Sequence, residues 1–189
     1  MEPPARTYHD VRERRQAGGR AEIEQWRAAG GRLYERLESG REAPVVRVAA
    51  AERGLEMRGG TIRPLRPAEL TLWLREVRMV PANFVAHAAE MGVTTTTEAG
   101  VERMEADHER LVLERNAATG HARRVTDLRA KVTIEFEQPR DTQGRSVPRI
   151  EIRRSADREI WRDRIVSVEF DAPVPPEVLR LWEGLEQKR

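Results

Sequence analysis

Apolar and polar residues alternate with a period of two in the last third of the chain. The alternating apolar positions are Val132, Ile134, Phe136, Ile150, Ile152, Val166, Val168 and Phe170. A period of two places successive side chains on opposite faces of a strand. The pattern therefore predicts three antiparallel strands with one buried face.

Three other segments have the three-and-four spacing of apolar residues that is typical of amphipathic helices. The first runs from Pro67 to Val80 and predicts a helix that Pro81 either kinks or divides and that continues to Gly92. The second begins at Thr97 as a cap and ends between Leu113 and Gly120, although residues 109–126 could instead enter a hairpin. The third follows Pro175, and we expect this terminal helix to cover the buried face of the three strands.

The first 41 residues predict a flexible leader and an N-terminal helix. Residues 1–20 are polar, and the spacing of apolar residues over 21–37 predicts a helix. Residues 42–189 then form the folded domain, with a strand at 45–48 and a hairpin that turns at Gly59 and Gly60. The predicted fold class is α+β: a small antiparallel sheet, with a meander of about three strands plus the short hairpin, packed against amphipathic helices.

Charge is abundant but balanced. The chain has 34 basic and 32 acidic residues among 189, and only two of the basic residues are lysines. A balanced chain presents a cationic surface only if the fold gathers its arginines on one face. The absence of cysteine excludes disulfides and thiolate metal sites, and no segment resembles a signal sequence or a membrane span. A cytoplasmic location is the expectation.

The segment from Gln138 to Ser155 allows three interpretations. The first is a hairpin with opposite charges across its strands, which has no ligand. The second is a nucleic-acid-binding arm, which would use Arg123, Arg124, Arg140, Arg145, Arg153 and Arg154. The third, more remote, is a metal-dependent nuclease with Asp141 and Glu151 as Mg²⁺ ligands. Arg153 stands where that third arrangement needs a lysine.

The remaining candidate surface lies on the predicted N-terminal helix. Its exposed ridge would comprise Trp26, Leu33, Tyr34 and Leu37, and aromatic anchors of this kind are typical of protein interfaces. No phosphate-binding loop, metal-binding motif or nucleophile motif supports catalysis, and no cofactor is expected. The sequence therefore predicts a non-enzymatic assembly, adaptor or regulatory protein that binds a protein partner or self-associates. Nucleic-acid binding is the alternative, and no metal site is expected.

Overall fold

The computed structural model describes residues 7–28, 31–50, 52–81, 84 and 91–187. These residues form mainly β-structure, so the predicted α+β class is wrong. The first strands are β1 (Thr7–Gln16), β2 (Gly19–Ala28), β3 (Arg32–Glu38), β4 (Val45–Ala50), β5 (Arg53–Arg58) and β6 (Thr61–Pro64). The later strands are β7 (Val93–Glu98), β8 (Val101–Ala106), β9 (Leu111–Asn116), β10 (Ala122–Asp127), β11 (Val132–Glu137), β12 (Arg140–Thr142), β13 (Arg145–Val147), β14 (Ile150–Ser155) and β15 (Arg158–Phe170).

Thirteen of these strands are hydrogen-bonded in one antiparallel sheet, in the order β6-β5-β4-β3-β2-β1-β15-β14-β11-β10-β9-β8-β7, and β12 pairs with β13 separately. The described helices are α1 (Pro67–Arg78) and α2 (Pro176–Glu186).

The chain divides into two compact units. The first comprises Met1–Trp73 and Ile165–Arg189, and the predicted boundary between residues 41 and 42 lies inside it. Its strands β1 to β6 pair consecutively, and α2 packs its buried Trp182 against a core that includes Trp26 and Val48.

The second unit comprises Leu74–Arg164. Its core lies on one face of β8, β9, β10 and β11, whose apolar residues are directly opposite one another across the strands. Met79 and Phe84, which follow α1 in the chain, belong to the same core. The predicted continuation of this helix over 82–91 lies largely outside the described residues.

The predicted leader and helix over residues 1–41 are wrong, because the described part of this segment forms β1, β2 and β3. Ile23 and Trp26 are both buried, but they point to opposite faces of β2. Their three-residue spacing therefore comes from a strand that is buried on both sides. Gly31, with φ of 69°, takes the left-handed conformation just before β3.

The helix predicted to begin at Thr97 is also wrong. The segment from Thr97 to Leu113 contains the end of β7, all of β8 and the start of β9, with Met104 directly opposite Leu113. Ala99 and Gly100 have positive φ angles of 48° and 76°, as a two-residue hairpin turn requires. The alternative prediction of a hairpin within residues 109–126 is correct, since β9 pairs with β10.

The other predicted elements are present. The 45–48 strand is β4, the short hairpin is β5 with β6, the helix that begins at Pro67 is α1, and β11, β14 and β15 are neighbours. The terminal helix is α2. Within the first unit, however, it packs against β3 and β4, whereas the prediction placed it on the buried face of the meander.

Candidate functional site

Strand β7, with the sequence VTTTTE, is an edge strand. Among the described strands its sole neighbour is β8, and every residue from Thr94 to Glu98 is exposed. In an edge strand, alternate residues direct their backbone N–H and C=O groups away from the sheet. This edge therefore offers hydrogen-bonding groups to another extended strand.

Few of the features that normally protect a sheet edge occur in β7. Proteins block edges with lysines, prolines, bulges or very short strands. Strand β7 has six residues, five of them β-branched, and its one charge is on Glu98. Its register with β8 is regular from Val93 to Glu98, without a bulge.

The opposite edge strand, β6, is protected. It has four residues and contains Pro64, which has no N–H group. Arg63 binds Glu56 at 2.8 Å and Glu69, in the first turn of α1, at 3.0 Å. The two edges thus differ in length, in charge and in the number of backbone donors.

A second feature lies on one face of the first unit. Six residues are directly opposite one another on consecutive strands from β1 to β6, and we call them the charged row. The charged row comprises Asp10, Gln25, Glu35, Arg47, Glu56 and Arg63. Gln25 donates to Glu35 at 2.6 Å, and Arg47 lies 3.6 Å from Glu35 and 2.9 Å from Glu56. Opposite charges therefore alternate along most of its length, which stabilises the register.

The pKa values follow these contacts. Burial alone would raise the pKa of the Glu56 carboxyl, but the hydrogen bonds from Arg47 and Arg63 outweigh it and hold that pKa below its ordinary value. Hydrogen bonds from the side chain and backbone of Arg66, and from Arg63, lower the pKa of Glu69 to about 2. Both carboxylates are therefore charged at neutral pH, and both are paired.

Arg27 differs from the arginines of the charged row. It is on the same face, opposite Tyr8, and it is 6% exposed. Its guanidinium carbon lies 4.8 Å from the centre of the Tyr8 ring, and its Nη2 donates to Gln25. Within the described part of the chain, Nε and Nη1 of Arg27 have no hydrogen-bond partner and no carboxylate is ion-paired with it. A buried cation in this state costs several kcal/mol, and an acceptor at Nε and Nη1 would reduce that cost.

The arginines of the predicted nucleic-acid-binding arm are dispersed. Arg124 binds Glu114 at 2.7 Å, Arg154 binds Glu135 at 2.9 Å, and Arg153 binds Glu76 of α1. The remaining three are exposed or half-buried: Arg123 in β10, Arg140 in β12 and Arg145 in β13. Carboxylates next to the guanidiniums weaken the attraction for phosphates, so this geometry does not support a cationic surface.

The four residues predicted to form a docking ridge are not on one surface. Trp26 and Tyr34 are directly opposite each other on β2 and β3, on the face that α2 covers. Leu33 and Leu37 point to the other face of β3, and Leu33 is buried. The four residues therefore do not form a continuous ridge. A partner-binding role for them stays a prediction, without support from a shared surface.

The remote metal site is dispersed as well. Asp141 is exposed in the two-stranded sheet of β12 and β13, whereas Glu151 is buried in β14 between Phe136 and Asp163. Among the residues that the structure describes, no group of three or more potential metal ligands occurs. No described helix is both long enough and apolar enough to span a membrane.

Sequence reasoning missed both of the features described above. The prediction gives only the last threonine of β7, Thr97, a role as a helix cap, although a run of β-branched residues between Gly92 and Gly100 is a strand signal. No local signal separates Arg27 from the other arginines, because its environment depends on strand pairing.

Comparison with known proteins shows the fold. No protein-family model and no curated protein sequence matches this chain. Among solved structures, a LolA superfamily protein from Nitrosomonas europaea is similar with a TM-score of 0.60, at 8% identity, over 94% of this chain and 90% of that chain. A DUF1329 family protein from Desulfovibrio piger is similar with a TM-score of 0.55, at 7% identity, over 90% and 88%. The chain shares the fold of these two proteins.

A third similar structure is the complex of MucA and MucB from Pseudomonas aeruginosa. The TM-score is 0.44 at 17% identity, and the match covers 91% of this chain but 54% of that chain.

Proposed function

We propose that this chain is a non-catalytic binding protein that pairs an extended segment of another polypeptide with strand β7. The observation that supports the proposal is the edge itself, which is exposed, regular and unprotected from Thr94 to Thr97. An added strand would gain main-chain hydrogen bonds along β7, while alternate side chains would select the sequence that binds.

The side chains of β7 define the partner segment. Thr94 and Thr96 point to one face and Thr95 and Thr97 to the other, so both faces offer a methyl and a hydroxyl group. Threonine pairs well with threonine, serine and β-branched residues across an antiparallel pair. The best segment is therefore extended, rich in β-branched residues and uncharged.

A second copy of the chain meets these requirements. In an antiparallel pair with Thr96 opposite its own symmetry mate, Thr95 faces Thr97, and Thr94 faces Glu98. No like charges are opposed in this register. The contact is short, so the resulting dimer is expected to be weak.

The test uses a library of extended peptides selected on purified full-length protein, with light scattering for self-association. Thr95→Pro and Thr96→Pro form a matched pair, because one of two adjacent N–H groups faces β8 and the other faces outwards. The variant that loses the outward-facing N–H group is expected to keep its melting temperature and to lose binding. The variant that loses the N–H group facing β8 is expected to have a lower melting temperature.

The proposal fails if the wild-type protein is monomeric and selects no peptide. It also fails if the selected peptides bind the correctly folded proline variant as tightly as the wild type.

A second candidate function is the carriage of an amphiphilic ligand, such as a lipid or a lipidated protein. The fold shared with a LolA superfamily protein supports it, and so does the buried Arg27, because a ligand could supply the missing acceptor. Native mass spectrometry after incubation with a membrane lipid extract tests this candidate. A protein that retains no lipid would contradict it.

A further inference from the structure

We infer that Arg27 is the anchor of a ligand site in the first unit, and that this site accepts a carboxylate or phosphate group attached to an apolar body. The inference rests on the second candidate function for the source of the ligand and is independent of strand pairing at β7. It starts from the guanidinium whose Nε and Nη1 are buried and have no partner in the described part of the chain.

The ligand group must be an acceptor, because the open atoms of Arg27 are donors. Planar guanidinium groups bind carboxylates and phosphates through pairs of parallel hydrogen bonds. Arg47 and Arg63, which lie on the same face, already have glutamates as partners. Arg27 has the neutral Gln25 and the face of Tyr8 instead, so its positive charge is not neutralised by them.

The surroundings hold the guanidinium in place for such a group. The Tyr8 ring lies against it, and Gln25 fixes Nη2, so little side-chain entropy is lost when an anion binds. Preorganised donors in a dry environment bind charge more strongly than donors in water. Asp10, a carboxylate on the same face, is bound by Arg12. It therefore opposes an incoming anion less than an unpaired carboxylate would.

The apolar part of the ligand is inferred from the residues that lie in line with Arg27 on the neighbouring strands. Leu33 on β3 and Ala49 on β4 are directly in line with Arg27 across the strands, and they are 5% and 2% exposed. Both side chains are already buried, and Leu65 and Leu70 cover the neighbouring Gly54 of the same row. An alkyl chain next to the carboxylate or phosphate would therefore contact this row by displacing side chains that cover it, whereas a free, strongly hydrated anion would gain nothing there. Asp10 Oδ1 is also buried without a partner in the described chain, so a hydroxyl or N–H group near the anion would find an acceptor there.

The experiment measures binding to the purified full chain by calorimetry and by thermal unfolding. The probes are dodecanoate, dodecyl phosphate, uncharged dodecanol, acetate and inorganic phosphate. We expect one or both charged dodecyl probes to bind at least about 10-fold more tightly than dodecanol, because a hydrogen bond to a charged group contributes that much to affinity. Acetate and inorganic phosphate are expected to bind more weakly still.

The variant Arg27→Met separates a ligand-binding arginine from a structural one. It is expected to weaken the binding of the charged dodecyl probes by about 10- to 100-fold. Without ligand, its melting temperature should be equal to or above that of the wild type, because an unpaired buried cation is removed. Arg36→Met is the matched control: Arg36 is on the other face of the sheet, paired with Glu38, and its loss should leave ligand affinity unchanged.

The outcomes are distinguishable. If dodecanoate and dodecyl phosphate bind Arg27→Met as tightly as the wild type, the Arg27 site is wrong and the carrier function stands. If Arg27→Met without ligand melts well below the wild type, Arg27 is structural and the inference is overturned. If no probe binds the wild type, both the inference and the carrier function fail. Tight binding of acetate or phosphate alone would confirm the anion site and refute the apolar body.

Discussion

The guanidinium of Arg75 in α1 binds the carboxylate of Asp127 in β10, with Nη2 at 2.8 Å from Oδ1. The same Nη2 donates to the backbone carbonyl of Glu109 at 2.6 Å. Asp127 Oδ1 also accepts the backbone N–H groups of Arg129 and Ala130, each at 2.8 Å. The side chains of the pair are 13% and 3% exposed, so this interaction connects α1 to the second unit's sheet away from solvent.

Removal of this carboxylate is expected to destabilise the second unit strongly. Asp127→Ala leaves Arg75 with Glu109, at 3.3 Å, as its carboxylate partner and removes the acceptor of the Arg129 and Ala130 N–H groups. We therefore expect a loss of about 2–4 kcal/mol in the free energy of unfolding. Glu114→Ala is the control, because its partner Arg124 is on the exposed face, and here we expect a loss below about 1 kcal/mol. Urea denaturation followed by circular dichroism measures both. Equal losses would show that the Arg75 contact has no special role.

The same pair predicts a loss of stability in acid. Burial acts to raise the pKa of Asp127, but the hydrogen bonds from Arg75 and from the backbone of Ala130 and Arg129 outweigh it and hold that pKa below its ordinary value. A lowered folded-state pKa gives stability that is complete above the unfolded value of about 4 and that disappears as the pH falls through the folded value. The free energy of unfolding should therefore decrease from about pH 5 downwards.

The variant Asp127→Asn measures how much Asp127 contributes to the pH dependence of the free energy of unfolding. The amide oxygen can still accept the N–H groups of Arg129 and Ala130, but the side chain no longer titrates. We expect a shallower decrease of the unfolding free energy between about pH 5 and pH 3 than in the wild type, with Glu56 and Glu69 responsible for part of the rest. An unchanged slope would contradict the shift assigned to Asp127.

Strands with one buried face could be predicted from the sequence, and strands buried on both faces could not. In β11, Val132, Ile134 and Phe136 are buried while the residues between them are not, so the period of two is visible. In β2, Gln25, Trp26 and Arg27 are all buried, which removes the alternation and allows a helical interpretation. Pairing over long distances is equally invisible in a local pattern. Asp171, for example, donates its N–H to the carbonyl of Thr7.

The candidate site depends on this non-local pairing. Arg27 and Arg47 are chemically identical, and their local sequences do not predict different roles. Arg47 is opposite Glu56, whereas Arg27 is opposite Tyr8 on one side and Leu33 on the other. The strand register alone decides which arginine is paired and which is open.

Two glycines provide a matched test of packing in the first unit. A Cβ atom at Gly54 would lie 2.7 Å from Leu65 Cδ1, 3.3 Å from Leu65 Cβ and 3.1 Å from Leu70 Cδ1, so Gly54→Ala is expected to cost about 1–3 kcal/mol. At Gly184, inside α2, a Cβ atom meets nothing within 4 Å among the atoms considered. Gly184→Ala should stabilise the protein by about 0.5–1 kcal/mol, because alanine favours the helix. Changes of the same sign in thermal unfolding would contradict this packing.

Trp182 is expected to be the main anchor of α2. Its side chain is fully buried, and its Nε1 donates to the carbonyl of Leu33 in β3 at 2.8 Å. Trp182→Phe removes the donor and part of the volume, so we expect a loss of about 1–3 kcal/mol. Trp182→Ala also leaves a large cavity and should cost about 3–5 kcal/mol.

Arg180→Ala, at an exposed position of the same helix, should stay within about 0.5 kcal/mol of the wild type. Urea denaturation is followed by far-ultraviolet circular dichroism, because replacing a tryptophan also changes the fluorescence of the protein. A Trp182→Phe variant as stable as the wild type would show that the indole N–H contributes nothing.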